Sequence, residues 1–424
     1  MAPAPLRPIC ASAALLVLAG CAGNPSPSPA APAERDISAT RPITETHRRT
    51  IGFLERGVWV SNELEGGRFS DAWMEGDSVL VIHNRPENAP INNSAWYAFK
   101  VWARTADTVT VRFTYEDGRH RYWPKLRRLG EAAWTDLDSV LVQRDSVTRG
   151  AVVRLPIGPD TLWVAGQEMR TSSWFREWIE GLTARPGVTT RVIATTPGGR
   201  PIRLVHAGDP GATRHVLLIG RQHPPEVTGT KALVPFVEEM LGDSPLAREF
   251  RGRFQIHVIP LVNPDGVDLG HWRHNTGGVD LNRDWVAFHQ PEPQAVRDEA
   301  RRFMAQPGSE LWFFADFHST GRDVFYTLER SLETKPAGVT DRWLDHLRTS
   351  LPHYEVRDSP TTLEGTPQAR NWVYRDFDQA PGLVYEVGDD TDPALIRQVA
   401  EEAARGTMRI LLDELRKVEV GGGR

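Results

Sequence analysis

Three short segments hold side chains that can work as one chemical unit. In Gly220-Arg221-Gln222-His223-Pro224-Pro225-Glu226, a histidine and a glutamate lie three residues apart in a tight turn, where both can bind one metal ion. Ala315-Asp316-Phe317-His318 ends an apolar run and can supply a second imidazole. Two histidines and one carboxylate leave the fourth Zn2+ position open for water, which is the catalytic arrangement. In Val384-Tyr385-Glu386-Val387, Glu386 can take the proton of such a water and later give it to a leaving amine. A second His-x-x-Glu, His289-Gln290-Pro291-Glu292, is set aside as a metal site. It opens a predicted helix, where an acidic residue in the first turn is favourable without any metal. No apolar strand precedes it, whereas Val216-Leu217-Leu218-Ile219 comes shortly before His223.

Further polar segments lie between these. Asn263-Pro264-Asp265-Gly266 is followed by Trp272-Arg273-His274-Asn275, then by Gly278-Val279-Asp280-Leu281-Asn282-Arg283-Asp284-Trp285. An arginine fork suits a carboxylate bidentately, and a second arginine can stabilise a developing oxyanion. Taken in order from 223 to 386, the set resembles the zinc metallocarboxypeptidase (carboxypeptidase A-like) family, whose motifs run HxxE, an NPDG-type turn, an Arg, a GVDLNR segment, a His and a Glu. The resemblance covers about residues 190–418.

That resemblance implies an α/β catalytic domain of the phosphorylase/hydrolase type, with a mixed central sheet flanked by helices. It makes His223, Glu226 and His318 the ligands of one Zn2+ and Glu386 the general base and acid. Arg273 would polarise the scissile carbonyl, and Asn282 and Arg283 would hold the free C-terminal carboxylate of a peptide substrate. Asp316 is expected either to support a metal-bound histidine, since such a ring usually donates its other N–H, or to be structural. The segments 92–101 and 121–125 resemble the β-sandwich that precedes the catalytic domain in the cytosolic-carboxypeptidase-like branch. Classical members carry a mobile tyrosine about twenty residues before the catalytic glutamate. Here the stretch 359–368 has none, and neither Tyr374 nor Tyr385 occupies the matching place. Arg370 falls about where the family puts the base of its specificity pocket. There it would favour an acidic C-terminal residue; the alternative is a solvent-facing loop position.

Elements must hold these groups in place. Period-two runs at 58–60, 78–82, 95–101 and 108–113, separated by Gly- and Asn-rich turns, predict a preceding antiparallel β-sandwich. From 190 onward strands alternate with helices, which predicts a largely parallel sheet. Predicted strands cover 215–220, 254–261, 311–317 and 383–387, with helices at 172–182, 230–241, 292–305, 341–351 and 392–418. The domain reading is 46–168 for the sandwich and 169–420 for the catalytic domain.

Composition narrows the function classes. Hydrophobic residues are 40% and charged residues 25% of 424, which excludes a wholly disordered chain. Lys+Arg 50 against Asp+Glu 55 leaves a net charge of −5, and no basic block exists for nucleic acid to bind. The two cysteines are Cys10 and Cys21, so neither a disulfide framework nor a thiolate metal site is expected in the body of the chain. Residues 1–20 read as a signal peptide: Arg7 precedes an apolar run at 9–20 that is too short to span a membrane. The run ends Leu18-Ala19-Gly20-Cys21, which resembles a bacterial lipobox, so Cys21 is the expected lipidation site. Residues 21–45, rich in Pro, Ser and Ala, read as a tether. The expectation is a membrane-anchored lipoprotein on the periplasmic or extracytoplasmic face. Two other classes stay open here: an aspartoacylase-type zinc deacylase of N-acyl amino acids, and a non-enzymatic binding lipoprotein.

Overall fold

Alternating apolar and polar residues in the first half of the chain make short strands, each with one face to bury. In the computed structural model, which describes Met1 and residues 42–88, 96–116, 118–364 and 367–421, these strands form two sheets. One has the order Thr50–Phe53, Val58–Ser61, Ala98–Ala103, Leu162–Ala165, Lys125–Arg128, Thr135–Asp136. The other has the order Asp71–Glu75, Val79–Asn84, Asp107–Tyr115, Ala151–Ile157, Val142–Arg144. Both send side chains into one apolar cluster, including Val60, Phe99 and Val101 from the first and Leu80, Val111, Phe113 and Leu155 from the second. The expectation of purely antiparallel pairing needs correction. Val79–Asn84 runs parallel to Asp107–Tyr115, because the strand between them in sequence, Ala98–Ala103, joins the other sheet. A chain that crosses over before pairing can return in the same direction.

The second half is built on an eight-stranded mixed sheet. Its order is Val188–Thr195, Pro201–Gly208, Gln255–Ile259, Arg214–Gly220, Glu310–Thr320, Gly382–Gly388, Val324–Leu328, Asp358–Thr361. The four strands from Gln255–Ile259 through Gly382–Gly388 are parallel neighbours. Their near-continuous apolar runs follow from burial on both faces. Val216 and Leu218 pack with helices Val227–Met240, Val339–Ser350 and Pro393–Gly421. Leu217 and Ile219 pack on the opposite face with helices Pro291–Met304 and Ala369–Asp376. The predicted helices all form, with ends shifted by at most three residues. The parallel strands thereby aim their C-terminal ends, at 220, 320 and 388, to one edge, where open α/β sheets place their sites.

Candidate active site

The turn after Arg214–Gly220 is held by its own neighbours. Arg221 adopts φ 56°, a left-handed conformation that costs a non-glycine residue strain. Its buried guanidinium holds the turn in exchange, donating from Nε (3.1 Å) and Nη2 (2.7 Å) to the Pro224 carbonyl and from Nη1 to Thr230 Oγ1 at 3.2 Å. Asn263 caps the short helix Pro264–Leu269 by accepting from Gly266 N at 2.9 Å, and its Nδ2 donates to the Gln222 carbonyl at 3.0 Å. The NPDG-type turn is therefore a brace for the segment that carries His223 and Glu226.

His318 reaches the same place from the next strand. Gly229, in the helix that starts after Glu226, lies so close that a Cβ there would sit 2.6 Å from the His318 carbonyl oxygen. Its N–H donates to Ser319 Oγ at 2.8 Å. Glu386 pairs in register with His318 across the parallel ladder, so both side chains stand on one face.

One ligand atom from each of His223, Glu226 and His318 lies within 4.8 Å of the others, and among the described residues this is the one group of three such side chains. Glu226 Oε1 is 2.8 Å from His223 Nδ1, and its Oε2 is 2.7 Å from His318 Nδ1. The far nitrogens face carboxylates: His223 Nε2 is 2.9 Å from Asp280 Oδ1, and His318 Nε2 is 2.9 Å from Asp316 Oδ2. With Nε2–H donated outward on both rings, two Nδ1 lone pairs and an anionic carboxylate converge. A cation bound between them satisfies all three at once. The titration behaviour points the same way. Burial alone would lower the His318 pKa, but Asp316 and Glu226 outweigh it and hold it well above the usual value. His223 is also raised: burial again opposes, and Glu226 prevails. These residues fit Zn2+.

Around that centre, Glu386 has a buried Oε2 with no hydrogen-bond partner. Burial, strengthened by the negative charge of Glu226 and opposed by His318, pushes its pKa up to about 7. A carboxyl at this place is within reach of the metal-facing side chains and can carry a proton. Arg273 Nε donates to Asp280 Oδ2 at 2.8 Å. Asn282 and Arg283 lie on a 3-10 turn, Leu281–Arg283, whose Asn282 N–H donates to Asp280 Oδ1 at 2.9 Å. Asp280 thus ties together His223, Arg273 and the turn that carries Asn282 and Arg283. The sequence reading assigned a histidine-supporting role to Asp316 alone. The rule that a metal-bound imidazole seeks a carboxylate for its other nitrogen pointed to a second partner for His223.

Other expectations resolve differently. Arg370 does not face solvent; it is fully buried at the start of Ala369–Asp376. It donates to the Thr327 carbonyl at 2.8 Å, to Thr361 Oγ1 at 2.6 Å and to Asn371 Oδ1 at 2.9 Å, none of them a carboxylate. Tyr385 packs in the apolar core against Phe317 and Phe325, away from the site. Tyr326, on the strand beside Glu386, was not singled out; burial and the Glu386 charge raise its pKa. The His289 side chain is 77% exposed, in keeping with the rejection of the second His-x-x-Glu. Cys21 and residues 92–95 lie outside the described residues.

A zinc carboxypeptidase family profile matches residues 175–353, a span that holds all three metal-facing side chains. Residues 175–353 therefore carry the domain of the zinc carboxypeptidase family. The family uses one Zn2+, for which His223, Glu226 and His318 provide the donors. Among relatives, the chain is 34% identical over 320 residues to cytosolic carboxypeptidase 2 of Danio rerio, covering 67% of this chain and 43% of that one. It is 24% identical over 309 residues to cytosolic carboxypeptidase 3 of Mus musculus, covering 65% and 31% respectively. The chain therefore spans less than half the length of these curated relatives. A solved metallo-carboxypeptidase from Burkholderia cenocepacia superposes with a TM-score of 0.67 at 18% identity, over 85% of this chain and 99% of that one. The shared fold thus extends beyond the profile match.

Proposed function

We propose that the protein is a zinc metallocarboxypeptidase that hydrolyses the C-terminal peptide or isopeptide bond of peptides ending in a free carboxylate. The observation that carries this reading is the placement of Glu386, in register with His318 and with a buried, unbonded oxygen beside the converging ligand set. Bound there, Zn2+ supplies a Lewis acid for the scissile carbonyl and a water of lowered pKa. Glu386 takes the proton of the attacking water and passes it to the leaving amine. Arg273, steered by Asp280, presents guanidinium N–H groups to the developing oxyanion. Asn282 and Arg283 hold the substrate's terminal carboxylate, a task that suits a planar fork plus an amide donor. Neither the deacylase nor the non-enzymatic reading is favoured.

Two assays test this. Glu386→Gln keeps its zinc and loses nearly all turnover; near wild-type kcat would remove Glu386 from the mechanism. Amidating the substrate's C-terminus lowers kcat/KM by orders of magnitude; equal cleavage of amidated and free peptides would exclude an exopeptidase.

Three finer parts belong to the same proposal. Residues 46–168 form a β-sandwich module ahead of a catalytic domain at 169–420, a partition supported by two apolar clusters that share no residue, with Trp272 of the second half packing in the first. Cys21 is lipidated and anchors the protein at the periplasmic or extracytoplasmic face of a membrane; unchanged mass and membrane retention of Cys21→Ala would contradict this. The pocket prefers an acidic C-terminal residue, supported by a buried Arg370 whose hydrogen bonds reach no carboxylate. Arg370→Ala assayed on Glu-, Leu- and Lys-terminated peptides decides it: an unchanged ranking frees Arg370 of that role.

A further inference from the structure

One buried carboxylate from the strand-rich half reaches into the catalytic half. Glu87 has no exposed surface. Its Oε2 accepts from the backbone N–H of Trp272 at 2.8 Å. Its Oε1 accepts from those of Arg273 at 2.8 Å and His274 at 2.9 Å. Three consecutive amides therefore converge on one side chain. Residues 271–275 belong to no helix or strand, so no ladder would satisfy these buried N–H groups otherwise. The adjoining Asn88 adds a contact from Oδ1 to His274 Nδ1 at 2.7 Å. Glu87 is itself tied down, its carbonyl accepting from Thr44 N at 2.6 Å.

The residue in the middle of the clasped triplet is Arg273. Its main chain is fixed by Glu87 and its side chain by Asp280, from opposite halves of the chain. Trp272, beside it, packs into the apolar cluster of the strand-rich half, near Tyr122. A guanidinium hung on a loop gains aim only if both ends of its lever are held, and preorganised donors are what makes an oxyanion site effective.

We infer that Glu87 is a positioning residue for Arg273, so that the strand-rich half completes the active site. This rests on the oxyanion role proposed above for Arg273. A Gln at 87 keeps the shape but has one acceptor oxygen, and its NH2 would face a backbone N–H, donor against donor.

The test uses the full, zinc-loaded chain with Glu87→Gln and Glu87→Ala, each also combined with Arg273→Ala. Zinc content, Tm, kcat and KM are measured for every variant. For Glu87→Ala the expected loss in kcat is about 100-fold, the scale of a misplaced catalytic group, with KM changed by about twofold at most and zinc retained. Glu87→Gln, the variant more secure in folding, loses about 10-fold on the same basis. In the Arg273→Ala background neither substitution costs further turnover, because the group being aimed is gone. Full kcat in folded, zinc-loaded Glu87→Gln would overturn the inference. So would an equal fold-loss in the Arg273→Ala background, which would mark Glu87 as structural only. Wild-type kcat in Arg273→Ala alone would remove the role of Arg273, and with it the need for a clasp.

Discussion

The chain writes His-x-x-Glu twice, and the two copies behave in opposite ways. At His223 and Glu226 the pair follows a central parallel strand. A third ligand arrives from the neighbouring strand, and each imidazole has its own outer carboxylate. At His289 and Glu292 the histidine lies in solvent while the glutamate is fully buried. Glu292 accepts from Asn275 Nδ2 at 3.0 Å, its Oε1 has no partner, and burial pushes its pKa up to about 7. The comparison teaches that spacing proposes a metal pair, while the third ligand and the carboxylates behind the rings decide it. At the second copy the carboxyl avoids the cost of a buried charge by holding a proton.

The contrast breaks most visibly at the metal. His318→Ala should lose zinc and turnover together, as read by metal analysis of the purified protein. Full zinc occupancy would mean that the first pair needs no third ligand. Asp280→Asn removes the carboxylate behind His223 and leaves the ligands in place. It should weaken zinc affinity or activity by about 10- to 100-fold, measured by competition with a chelator. Unchanged affinity and rate would show that Asp280 supports nothing.

At the second copy the readout is stability. The Glu292 carboxyl has a folded pKa of about 7 against 4.5 as its ordinary value. Its contribution is thus fully present below about pH 4.5 and is lost as pH rises through about 7, by an amount on the order of 3 kcal/mol. Glu292→Gln should flatten that part of the stability–pH curve and leave zinc content unchanged. Denaturant melts at pH 5 and pH 8 check it, and identical slopes in both proteins would refute the assignment. Smallest of all, His289→Ala should change stability by about 0.5 kcal/mol or less, as for other exposed positions, with zinc and turnover intact.

What was legible in the sequence follows from how local each signal is. His223, Glu226, His318 and Glu386 stand at or just after apolar runs, and their order along the chain carried the family resemblance that gave them roles; the fold brings the first three within 4.8 Å of one another. Most strands and helices of the catalytic half were legible through their periodicity, whereas the strands Val324–Leu328 and Asp358–Thr361 and the short helices Pro245–Arg251, Pro264–Leu269 and Ala369–Asp376 carried too short a pattern to be predicted. Asp280 was written in the same segment as Asn282 and Arg283, yet its part depends on a ring 57 residues away in the chain. Glu87 carried even less signal, since a lone glutamate after Arg-Pro reads as solvated loop until its three amide partners are seen. The parallel pairing of Val79–Asn84 was hidden for a related reason: local alternation identifies a strand but not its distant neighbour.

The position of Gly382–Gly388 has a consequence for synthesis. This strand lies between Glu310–Thr320 and Val324–Leu328, yet it follows both in the chain. At about 5–20 residues per second, the stretch from 320 to 388 takes several seconds to make, so the partner of Glu310–Thr320 is synthesised well after it. Val324–Leu328 and its partner Asp358–Thr361 cannot join until the gap is filled, because their route into the sheet runs through the missing strand. All three metal-facing side chains are made before that moment, whereas Glu386 is delivered by the filling strand itself. A chain ending before residue 382 would hold all three metal-facing side chains yet leave Glu310–Thr320 with an unpaired edge and lack Glu386.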